Sequence, residues 1–90
     1  MAPIIELIEG IKIVVYSREH LPPHIHAKFG EYEVLINIQN GVIEEGKFPK
    51  NKLNIVKKWL EIEENKKLAE KNFYELNPKL NTKNSNEKEV

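Results

Sequence analysis

The segment His20-Leu21-Pro22-Pro23-His24-Ile25-His26 holds every histidine of the chain. Imidazole can serve as an acid, a base or a metal ligand near neutral pH. If His24 and His26 lie on a strand, their rings share one face, because side chains alternate. Their Cα atoms are then about 6.5–7 Å apart, at roughly 3.3 Å per residue. Two chemistries suit such a pair. In RNA cleavage one imidazole removes the 2′-hydroxyl proton, the other protonates the leaving group, and a cation stabilises the phosphate charge. That reading makes His24, His26, Lys28, Arg18 and Tyr16 the candidate catalytic residues. In metal binding, His24 and His26 ligate a divalent ion with His20 or a Glu as the third ligand. No further ligand falls at a set spacing, so the sequence assigns no cofactor. The plain alternative is a polar, solvated strand face, since short motifs often match by chance.

The elements around the histidines follow from pattern. In HIHAKF, His24, His26 and Lys28 fall on one face, with Ile25, Ala27 and Phe29 on the other. The apolar set belongs to the core, so the histidines point away from it. Gly30-Glu31 fits a two-residue type II′ turn. It pairs Phe29 with Tyr32, Ala27 with Val34 and Ile25 with Ile36. On the polar face it pairs Lys28 with Glu33, His26 with Leu35 and His24 with Asn37. A slip by one residue would spoil both faces. Lys12, Val14 and Tyr16 join the histidine face if their strand pairs alongside. Pro22-Pro23 holds φ fixed and anchors the start of the histidine strand.

Residues 3–16 read as two Ile/Val-rich strands broken at Glu9-Gly10. Residues 32–38 and 42–46 make two more, with Asn40-Gly41 as the strongest short hairpin signal. Pro49 suits the first turn of a helix. That helix is expected to run unbroken from about Pro49 to about Leu76, on a stripe through Ile55, Trp59, Ile62, Ala69, Phe73 and Leu76. Its first half carries a wide apolar face and lies on the sheet. Its second half is expected to project or to pack on a second copy of the chain. The fold class is α+β: an antiparallel meander of about five strands, then one long C-terminal helix on one sheet face. Residues 1–76 form a single domain, and 77–90 read as a disordered polar tail.

Composition narrows the function. Ninety residues with 14 Lys+Arg and 14 Asp+Glu give a formal net charge of zero. Binding to nucleic acid by bulk charge alone is therefore not expected. The chain has no cysteine, which excludes disulfides, thiolate metal sites and cysteine nucleophiles. No apolar run approaches a membrane span, and the N-terminus lacks the pattern of a secretory leader. A cytoplasmic protein with no membrane partner is the expectation.

The stretch REHLPPHIHAKFGEYEVLINIQNG, followed by VIEEGKFPKNKLNIVKKWLE, resembles the small bacterial domain-of-unknown-function 4160 family. Its hallmark here is Pro22, Pro23, His24 and His26, then Gly30, Glu31 and Tyr32. The resemblance extends over about residues 3–76. Ile25 and Phe73 depart from the family, which often has Phe and Trp there. The resemblance implies a component of a toxin–antitoxin-like module, with a small protein partner and RNA as a target. It transfers no catalytic residue. The alternative is a non-enzymatic protein-binding or regulatory module, metal-binding or not.

Overall fold

The computed structural model describes residues 4–80. Five strands run β1 (Ile4–Ile8), β2 (Ile11–Val14), β3 (His24–Phe29), β4 (Tyr32–Asn37) and β5 (Ile43–Lys47). Each is antiparallel to the next, so the sheet order is the chain order. Two helices follow, α1 (Lys50–Glu61) and α2 (Glu63–Leu76), then a 3₁₀ turn over Pro78–Leu80. No helix of the described residues is long and apolar enough to cross a membrane.

The β3–β4 register is the one the pattern required, from Phe29 opposite Tyr32 to His24 opposite Asn37. Gly30 has φ +60, as the first turn position of a type II′ turn needs. Glu9 and Gly10 both have positive φ, the mark of a type I′ turn. The β4–β5 connection is longer than a two-residue turn at Asn40-Gly41. Asn37 turns the chain instead: its Oδ1 accepts from the N–H groups of Gln39 and Asn40. Its backbone closes the loop against Val42 and Gly41.

Ile11, Ile13 and Val15 share the apolar face with Ile25, Ala27, Val34 and Ile36, and all are fully buried. Val56, Trp59 and Leu60 of α1 and Ala69 and Phe73 of α2 complete the core. Gly46 on β5 allows close strand packing. A Cβ there would lie 2.2 Å from the Glu33 carbonyl oxygen, and its φ of +96 disfavours side chains. Gly46→Ala should therefore destabilise the fold by about 2 kcal/mol or more. The urea midpoint should drop at constant slope. An unchanged midpoint would mean that β5 does not pack this closely.

The single long helix is corrected. Ile62 adopts φ −75, ψ 122, an extended conformation that ends α1 and precedes α2. Asn65 Nδ2 donates to the Trp59 carbonyl at the broken end. Glu63 and Glu64 stand in the first turn of α2, where negative charge favours the helix dipole. The break lets α2 fold back, so Ala69 and Phe73 are buried within the chain. Two residues of the stripe expected to project or to meet a second copy are thus part of the protein's own core, while Ile62 is 53% exposed. The expected tail is corrected in part. Asn77 is buried and Pro78–Leu80 are ordered as a 3₁₀ turn, while 81–90 lie outside the described residues.

Candidate metal centre

The two histidines lie on the sheet face opposite Ile25 and Ala27, as alternation requires, but not on an open one, and the ring of Phe73 comes within 5.4 Å of that of His24. His24 is 2% and His26 8% exposed. The loop from Ser17 to Pro23 explains the difference by folding over them. Arg18, at φ +60, turns the backbone just before Glu19. The Glu19 carboxylate then spans both rings, with Oε2 2.8 Å from His24 Nε2 and Oε1 3.2 Å from His26 Nε2. On its other side His24 Nδ1 lies 2.9 Å from the Pro22 carbonyl oxygen. His26 Nδ1 lies 2.9 Å from Glu33 Oε2. The two prolines thus do more than fix the strand start. Pro22 supplies a partner for His24, and the Pro23 carbonyl accepts from Ile38 N–H to continue the ladder.

Every ring nitrogen of His24 and His26 faces an oxygen that only accepts. A neutral imidazole has one N–H and one lone pair. The Nδ1 contacts to Pro22 and Glu33 use the N–H, so the Nε2 lone pairs then point at the Glu19 carboxylate. A cation between the two Nε2 atoms and Glu19 removes that conflict.

That arrangement is a familiar ligand set. Two imidazole Nε2 atoms and one carboxylate bind zinc and other divalent transition metals. The Nδ1 atoms of such ligands bond to a carbonyl or a carboxylate, which fixes tautomer and ring orientation. The Pro22 carbonyl and Glu33 stand in those positions. The ligand atoms of Glu19, His24 and His26 lie within 4.8 Å of one another. Tetrahedral zinc at about 2.0–2.2 Å from each ligand spaces neighbouring ligand atoms roughly 3.3–3.6 Å apart, so the 2.8 and 3.2 Å contacts to Glu19 would open by a few tenths of an ångström to admit it.

The other sequence candidates distribute unevenly. Tyr16 is brought in, its ring edge-on to His26 with centroids 4.5 Å apart. Lys28 follows it, with Nζ 5.2 Å from the Tyr16 centroid. The hydrogen bond to Tyr16 holds the Lys28 pKa above its ordinary value, with the charge of Glu33 adding to the shift. Arg18 shapes the loop with its backbone, and its side chain is exposed. His20 lies beside the pair, its ring 5.4 Å from that of His24. Its Nδ1 faces the Leu21 carbonyl, and it is not part of the ligand cluster. Glu19 as the bridging carboxylate and Glu33 as the partner of His26 were not singled out by sequence. Glu33 was in view as the neighbour of Lys28, and it is also the diagonal neighbour of His26 on the same face, within reach of a long side chain.

The family model described as Domain of unknown function (DUF4160) matches residues 10–71. The match takes in Glu19, His24, His26 and Glu33, and it stops short of the last turn of α2. No curated protein matches the chain, and no solved structure does. By that match the chain belongs to the domain-of-unknown-function 4160 family.

Proposed function

We propose that the domain binds a divalent transition-metal ion through Glu19, His24 and His26, and that its function runs through that ion. The carrying observation is the set of acceptor-only contacts around two buried imidazoles, whose Nε2 atoms both face the Glu19 carboxylate, a place suited to a cation. Free acid–base catalysis by the pair is less well supported. Both rings are buried and every nitrogen is engaged, so neither is free to meet a substrate proton.

Three protein ligands leave room for an exogenous oxygen, and a bound ion would supply Lewis acidity there. Lys28 and Tyr16 lie on the same sheet face beside His26 and are suited to orient an anionic group. Resemblance to toxin–antitoxin components supports RNA as the substrate class, in a module with a small protein partner. The test has two stages. Zinc or cobalt(II) should raise the melting temperature of the wild type and leave Glu19→Gln unshifted. No shift of the wild type at large excess removes the metal. Induced expression in a bacterial host should then arrest growth with the wild type and not with His24→Ala/His26→Ala. No arrest with either would remove the toxin reading.

A binding module is favoured by one separate observation. Among the described residues no strand covers the outer edge of β1, where Ile4 is 55% and Leu7 63% exposed. An open apolar edge is suited to pairing with a strand of a partner protein. Leu7→Lys should abolish such a complex; unchanged binding would exclude this edge.

A further inference from the structure

Asn77 follows α2 directly and is 6% exposed. Its Oδ1 accepts from the Glu19 N–H at 2.8 Å. Its Nδ2 donates to the carbonyls of Tyr16 and Phe73, each at 2.9 Å. One side-chain amide therefore joins the loop before the histidines, the segment that follows β2 and the end of α2. Among the described residues, the bond to Glu19 is the one that ties the Ser17–Glu19 backbone to the rest of the chain through a main-chain group. It holds a stretch that would otherwise relax. Arg18, next to Glu19, has φ +60, a left-handed conformation uncommon for a residue with a side chain. Without the anchor, the loop can regain ordinary backbone angles and carry the Glu19 carboxylate off the two rings.

We propose that Asn77 is a positioning residue for the metal centre. It fixes the backbone of Glu19 so that one carboxylate reaches both Nε2 atoms. Metal affinity then depends on the docking of α2, although no residue of α2 touches the ion. The inference rests on the metal reading. Linkage is reciprocal: if the Asn77 anchor strengthens metal binding, the metal strengthens the anchor.

The test is zinc affinity by competition with a chelator, on wild type, Asn77→Ala and Asn77→Asp. Asn77→Ala should bind zinc at least about 10-fold more weakly, the lower end of what supporting groups contribute at metal sites. Asn77→Asp keeps an acceptor for the Glu19 N–H and loses both donor bonds, so it should recover most of the affinity while remaining less heat-stable than wild type. A purely structural asparagine would give two variants equally impaired in binding, and that result overturns the proposal. Wild-type affinity in Asn77→Ala overturns it as well. If the alanine variant does not fold, the wild type decides: zinc should slow hydrogen exchange at the Glu19 amide at least 10-fold, and no change overturns the proposal. A wild type that takes up no zinc instead overturns the metal reading itself, and with it this inference.

Discussion

Phe73→Ala is expected to cost about 3–5 kcal/mol, the usual loss for removing a fully buried aromatic ring. Phe73 has no exposed surface. Its ring is edge-on to Tyr74 and lies 5.4 Å from the His24 ring. A domain of this size is stabilised by only about 5–10 kcal/mol. The melting temperature should therefore fall by about 15 °C or more, at roughly 4–8 °C per kcal/mol. Differential scanning calorimetry of the metal-free protein measures it. The result also tests the helix break. On an unbroken, projecting helix Phe73 would be exposed, and the substitution would move the melting temperature by a degree or two. A drop that small would mean that α2 does not fold back. Phe73→Leu, which keeps most of the volume, should recover more than half of the loss.

His24→Ala is expected to remove the zinc response altogether. With zinc at about 100 times its dissociation constant, the wild type gains roughly 2.7 kcal/mol from binding. The variant keeps one imidazole and one carboxylate and should gain nothing measurable. His20→Ala is the informative control. The sequence allowed His20 as a third ligand, whereas the structure leaves it outside the cluster. The control should respond to zinc as the wild type does. A loss of response in His20→Ala would reinstate it as a ligand in place of Glu19. Glu33→Gln belongs between the two, because it removes the charge behind His26 and leaves the ligands in place. Its zinc affinity should fall about 10–100-fold.

What could be read from the chain divides along physical lines. The β3–β4 register was legible residue by residue, because two faces and one turn constrain it together. Ile25, Ala27 and Phe29 had to meet Ile36, Val34 and Tyr32 in that order, and Gly30 had to supply the turn. The helix break was harder. No proline or glycine marks Ile62, and the stripe runs across it. The available sign was Glu63-Glu64, two acids where a new helix would begin. Burial of Ala69 and Phe73 settles the matter through tertiary contact, which periodicity does not carry. At the site, alternation placed His24 and His26 on the correct face but said nothing of what covers them. That depends on Ser17–Pro23, a loop without repeat or period. Its path is set by a left-handed Arg18 and by an asparagine 58 positions beyond Glu19. Long-range hydrogen bonds of that kind leave no local trace in a sequence.

The strand order has a consequence for how the protein is made. Because each strand pairs with the next in the chain, the sheet is built from contacts that close short loops, a topology that favours fast folding. The proposed ligands Glu19, His24 and His26, with Glu33, lie within one short stretch of the chain, from Glu19 to Glu33. During synthesis they can come together as soon as the β3–β4 hairpin forms, with both helices still to be translated. The anchor at Asn77 arrives last. On the proposed metal reading, a nascent chain would thus carry a loose version of the centre and would tighten it only when the end of α2 docks.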